Sequence, residues 1–238
     1  MNKTIVSSLG NLERLCFLDI ETVGQKIDVE NNPIIREFIA KKYKIEVENV
    51  TNESVLQQGG LYPETGQIIC ISVGVFKGDT FFVKSFYGDN ELDLLMDFVS
   101  MLESDNFSFK YLICGHNIEN FDIPFIAKRC IINGIALPMT LNIMGKQPWD
   151  LSFVDTMKLW SNDYNNHISL KMLCEILNVP TSKGDIDGSQ VSRVYYGEGE
   201  EGLERIRKYC QLDVIATTRC FQRITQNRYL EDENIVIR

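Results

Sequence analysis

Histidine is nearly absent: the 238-residue chain has two. Neither has a ligand-spaced partner, and the seven cysteines form no CxxC pair, so zinc is not expected. Positive charge is also scarce. Lys and Arg total 24 against 33 Asp and Glu, a formal net charge of −9, which makes the chain a poor nonspecific duplex binder. Any attraction for nucleic acid must then be local, from bound cations and a few basic side chains, with Lys146, Lys171, Lys183 and Arg193 as candidates. There is no apolar run of about eighteen residues, so no membrane partner is expected. The opening "MNKTIVSSLGNLERLCF" lacks the continuous apolar stretch of a secretory signal. The cysteines, at 16, 70, 114, 130, 174, 210 and 220, are scattered and mostly lie within apolar runs. They read as reduced thiols of a cytoplasmic protein.

What is present suffices for a sizeable core: 44% of residues are hydrophobic and 24% charged. The pattern predicts one domain over residues 1–238 with an insertion at about 24–60. Apolar runs at 12–20, 67–76, 80–86, 110–115 and 151–156 read as strands, with a Gly-Asp hairpin turn before the third. Leu92, Leu95, Met96, Val99 and Leu102 recur at helical spacing over 90–103. Further helices are expected from Asp122 to about Asn133, over 169–177 and over roughly 201–226. In the insertion, Ile34, Ile35, Phe38, Ile39 and Tyr43 predict an amphipathic helix over 33–43. This order makes an α/β protein with a mixed central sheet and helices on both faces.

Three stretches carry chemistry. In the last helix, Leu203, Ile206, Cys210, Asp213, Thr217, Cys220 and Ile224 share one face, so Asp213 stands among apolar groups with Tyr209 one turn away. A buried ionised carboxylate needs a partner or a cation. In "FLDIET", Asp19 and Glu21 end an apolar strand on one face, roughly 6.5–7 Å apart along the chain. A divalent cation relieves the repulsion of two such carboxylates, and oxygen ligands suit magnesium or manganese. In "HNIENFDIPF", Asp122 precedes Ile123 and Pro124 and reads as an N-cap. Asn117 and Asn120 are either turn formers or donors to a phosphate or sugar, and Phe121 belongs to the core or offers a stacking surface. Asp155 is expected to cap a helix beginning at Thr156, and His116 to be structural.

Taken in order, these stretches resemble the three motifs of the DEDD superfamily of 3′–5′ exonucleases, whose fold is ribonuclease-H-like. Asp19-Ile20-Glu21 matches the first motif, Asn117 to Asp122 the second and Tyr209 to Asp213 the third; the tyrosine points to the DEDDy branch. The wording is similar to the proofreading exonuclease domain of family B DNA polymerases and to related stand-alone bacterial exonucleases. The match extends through "FVDTMKLW", "SLKMLCEILNVP" and "KGDIDGSQV" and leaves out the insertion. The resemblance implies that Asp19, Glu21, Asp122 and Asp213 hold two divalent cations, Mg2+ or Mn2+, and that Tyr209 orients the attacking water. It further implies that the backbone at Thr22 lines the pocket of the 3′-terminal nucleotide. The expected reaction is release of nucleoside monophosphates from single-stranded DNA. An RNA exonuclease of the ribonuclease-D kind shares this chemistry, but no appended helical binding domain follows residue 226. A non-catalytic module binding nucleic acid or a replication or repair protein is the remaining alternative; five intact positions argue against it. No polymerase domain fits this length, so proofreading would be in trans.

Overall fold

The computed structural model describes residues 10–105, 107, 110–146, 153–161, 167–181 and 186–238. Among these residues, six strands form one sheet in the order β5-β4-β1-β2-β3-β6. The first three, β1 (Leu15–Gly24), β2 (Gly66–Lys77) and β3 (Thr80–Tyr87), make an antiparallel meander. Strand β4 (Leu112–Gly115) runs parallel to β1, and β5 (Phe153–Asp155) parallel to β4. This is the expected α/β arrangement with a mixed central sheet. Gly78, at φ 59°, provides the left-handed residue of the β2–β3 turn. At the far edge β6 (Ile235–Ile237) adds parallel to β3; a three-residue strand is too short to show alternation in the sequence.

Strand alternation divides β1 between two cores. Cys16, Leu18 and Ile20 face one cluster, with α3 (Glu91–Glu103) and α4 (Asp122–Ile132). Leu15 and Phe17 face the other, with Val214 and Phe221 of α7 (Val191–Thr225). The Phe17 ring meets those of Phe221 at 5.5 Å and Phe81 at 6.0 Å, both edge to face. Helix α7 lies close over β2 because residue 74 is glycine. A Cβ there would stand 2.2 Å from the Phe81 ring and 2.9 Å from a Val214 methyl.

Two helices depart from the periodicity reading. Helix α7 is two helical segments joined across a kink at Gly199 (φ 59°, ψ −135°): the segment after the kink is the helix expected from about 201, and the segment from Val191 before it was not expected. The glycines of "GEGEEG" look like a helix start, but a left-handed glycine can instead join two helical segments. In α3 the buried face is Glu91, Leu94, Leu95, Phe98, Val99 and Leu102, while Leu92 and Met96 point outward. Apolar residues nearly encircle this helix, so spacing alone does not select the face that meets β2 and β3.

The insertion carries α1 (Pro33–Tyr43), as expected, and α2 (Asn52–Gln58), opened by a Thr51–Ser54 capping box. Its core is Val29, Ile39, Ala40, Val50 and Val55. Ile34, expected on the apolar face, is 80% exposed; it follows Pro33 in the first turn, where α1 has no core beside it. The segment is fastened to β1 at Gly24, where a Cβ would fall 2.0 Å from the Val55 carbonyl oxygen. Helices α5 (Thr156–Trp160) and α6 (Leu170–Leu177) complete the chain. Lys183, with the rest of 182–185, lies outside the described residues, as do 151 and 152 of the fifth strand run.

Candidate active site

The parallel ladder between β1 and β4 ends at Phe17↔Cys114. Past that pair β1 has a free edge, and the Ile20 N–H donates to Asp122 Oδ1 at 3.2 Å. This corrects the capping role read for Asp122. Phe121 occupies the N-cap position with no side-chain cap, and Asp122 is the first helical residue, its carboxylate turned across to β1. On the other edge the β1–β2 register shifts between Glu21 and Thr22, leaving Ile69 as a bulge. Asp19 and Glu21 precede the bulge, so they keep one face, the face covered by α7. There Tyr209 donates a hydrogen bond to Asp213, one turn on.

The structure therefore brings Asp19, Glu21, Asp122, Asp213 and Tyr209 together from three elements. Burial pushes the Asp19 carboxyl well above the usual range, and the charges of Asp213, Glu21 and Asp122 push the same way. Burial does the same to Glu21, followed by Asp213, Cys70 and Asp122. Asp122 is pushed up to about 7, by burial first and also by Asp155, against the pull of the Ile20 N–H. The charges acting on Asp19 and Glu21 are all negative. Enclosed carboxylates on which, among the described residues, no cationic side chain acts fit a hard divalent cation, since oxygen donors and excess negative charge are what such an ion requires. Tyr209 is raised by burial and then by the acids, which keeps it a neutral donor at physiological pH.

A linkage prediction follows from these shifts. Between about pH 4, where free Asp titrates, and the value of about 7 for Asp122, the folded chain holds protons that the unfolded chain has released. In chelator, stability falls as pH rises through that window. Magnesium reverses this, so the melting-temperature gain on adding it grows from pH 5 to pH 8. A gain independent of pH would contradict the assignment.

One residue here was not anticipated. Cys210 Sγ lies 3.4 Å from both the backbone oxygen and Oδ2 of Asp19. The sequence signal was its place three residues before Asp213 on the same stripe, which read only as apolar packing. Asp155 caps α5 through the Met157 N–H at 2.9 Å, as expected, and also accepts the Asn117 N–H at 2.9 Å and the Glu119 N–H at 3.4 Å. It thereby fixes the loop that delivers Asp122. His116 is held by Thr156 Oγ1 at 2.9 Å and the Ile168 carbonyl at 2.8 Å, and burial lowers its pKa.

Of the residues read as substrate contacts, Asn117 is left-handed (φ 60°) and its Oδ1 accepts from Asn120 Nδ2 at 3.1 Å. Phe121 is half-buried against Phe125, with ring centroids 5.5 Å apart. The Thr22 hydroxyl donates to the Gly60 carbonyl at 2.6 Å, tying the strand to the insertion. Lys146, Lys171 and Arg193 are exposed.

No curated protein matches the chain. Among solved structures it is similar to the family B DNA polymerase from the hyperthermophilic archaeon Pyrobaculum calidifontis, at 12% identity and a TM-score of 0.48. That similarity covers 89% of this chain and 27% of the polymerase. A family model matches residues 62–234, well over half the chain and including Asp122, Tyr209 and Asp213. The chain belongs to that family, described as predicted 3′–5′ exonucleases related to the exonuclease domain of PolB.

Proposed function

We propose that this protein is a metal-dependent 3′–5′ exonuclease that removes nucleoside monophosphates from the 3′ end of single-stranded DNA. The observation that supports this reading best is the cluster of carboxylates whose acting charges are all negative, beside a neutral tyrosine. Asp19, Glu21, Asp122 and Asp213 would hold the cations, with Glu21 and Asp213 serving the nucleophile side and Asp122 the leaving-group side. When bound, two Mg2+ or Mn2+ ions would polarise the phosphate and lower the pKa of the attacking water. Tyr209 holds and orients that water but does not take its proton, because its hydroxyl is pushed to higher pKa. Asp155 acts through the backbone of the Asn117 loop and keeps Asp122 in place. Thr22, Asn117, Asn120 and Phe121 form the wall on which the terminal nucleotide rests. Residues 1–238 read as one exonuclease domain with an insertion, acting in the cytoplasm beside replication or repair proteins.

The deciding experiment is a 5′-labelled single-stranded DNA oligonucleotide incubated with magnesium or manganese, using wild type beside Asp213→Ala. A ladder shortening from the 3′ end, absent without cation and absent in the variant, supports the reading. An RNA oligonucleotide in parallel separates it from an RNA exonuclease. Binding without cleavage of either would overturn it. Tyr209→Phe loses the orienting hydroxyl but no carboxylate, so kcat should fall about 10- to 100-fold with cation affinity unchanged. Single-turnover rates with a magnesium titration check this; a shifted magnesium midpoint would count against the role.

A further inference from the structure

We propose that Asp19, Glu21 and Cys210 form a site for one thiophilic divalent cation, zinc or cadmium, inside the carboxylate cluster. One ligand atom from each of these residues lies within 4.8 Å of the others. The Cys210 Sγ to Asp19 Oδ2 distance is 3.4 Å. A tetrahedral zinc with Zn–S near 2.3 Å and Zn–O near 2.0 Å puts sulfur and oxygen about 3.5 Å apart, so the pair stands at coordinating separation without rearrangement. Glu21 supplies the independent sign of a missing ligand. It is only 8% exposed, it faces the other acids, and among the described residues its carboxylate accepts no hydrogen bond. A carboxylate this enclosed among like charges calls for a cation. Cys70, paired with Glu21 across the ladder, is hydrogen-bonded to Cys210 and places a second sulfur behind the first.

The scarcity of histidine argued against zinc, and that argument holds for a His-based centre. It does not reach a site whose thiol comes from 191 residues along the chain. Magnesium keeps an all-oxygen octahedral shell and makes no use of sulfur. Zinc binds a mixed oxygen–sulfur set more tightly than manganese does and displaces the thiol proton to solvent on binding. The two modes share Asp19 and Glu21, so they exclude each other. Zinc held here would therefore silence the hydrolysis; this consequence rests on the exonuclease reading, whereas the binding does not.

Cadmium titration of the full chain under reducing conditions tests the binding directly, because a cadmium–thiolate bond absorbs in the near ultraviolet. The expected result is one equivalent of cadmium with a charge-transfer band that vanishes in Cys210→Ser and weakens in Glu21→Gln. The band should persist in Cys174→Ser, which alters a thiol elsewhere. Unfolding of Cys210→Ser is excluded by its melting curve, and Cys210→Ala provides a second variant. In the hydrolysis assay, Cys210→Ser should need about 10- to 100-fold more zinc for half inhibition. A band unchanged in both Cys210 variants, or no band at all, overturns the proposal. A band lost in Cys210→Ser from a protein that degrades no oligonucleotide would leave this site standing and remove the exonuclease reading instead.

Discussion

Asp19→Asn should leave the protein folded, more heat-stable in chelator at pH 8, and slower in hydrolysis by about 10³-fold or more. Asp19 is the residue on which Asp213, Glu21 and Asp122 all act. Replacing it by a neutral isostere removes a repulsive member of a buried like-charge cluster. Relief of such functional strain commonly adds about 1 kcal/mol, or roughly 2–4 °C in a chain of this size. The same change removes a carboxylate that would hold the cations. Charge stabilisation by bound cations is worth several kcal/mol, and each 1.36 kcal/mol is about tenfold in rate. Thermal melts with and without magnesium, beside single-turnover hydrolysis, give the two numbers from one preparation. If the variant melts lower in chelator and loses no activity, Asp19 is structural and the cluster is misread.

The second large effect is on stability. Arg129 is 2% exposed on α4 and Glu91 is 7% exposed on α3. The Glu91 carboxylate accepts from Arg129 Nη2 at 2.5 Å and Nε at 2.9 Å, from Asn133 Nδ2 at 3.0 Å and from the Ile68 N–H at 2.7 Å. Arg129 Nη1 reaches the Pro63 carbonyl at 2.9 Å. This pair pins α3, α4 and the start of β2, whose continuation carries the bulge opposite Glu21. Arg129→Ala strands a buried carboxylate, at a cost of about 3–5 kcal/mol, which is roughly 6–20 °C in melting temperature. Arg129→Met combined with Glu91→Gln should regain more than half of that loss, because the uncompensated charge and not the missing attraction dominates the cost. A fall of less than about 2 °C in the single variant, or strict additivity in the double, would show that the pair is solvated in solution.

Much of this was legible in the chain. Alternation in β1 and the stripe of α7 placed Asp19, Glu21 and Asp213 on inward faces, because backbone periodicity is a local property. Asp155 was identified as a cap for the same reason: an aspartate before a helix start acts within two residues. The resemblance in three short motifs pointed to the family whose model matches residues 62–234. The sequence by itself determined the order of the first five strands, the inward carboxylates and the tyrosine one turn from Asp213.

What only the tertiary structure decided involves partners far apart in the chain. Asp122 serves β1 and not its own helix, because the β1–β4 ladder stops at Phe17 and leaves the Ile20 N–H open. Cys210 is a ligand candidate and not simple packing, because the close seat of α7 over Gly74 sets its sulfur against Asp19. Leu92 and Met96 turn outward while Glu91 turns in, because a distant arginine compensates that charge. Periodicity reports which positions share a face; which charges and sulfurs meet across faces depends on how the sheet edge, the bulge and the helix seat close in three dimensions.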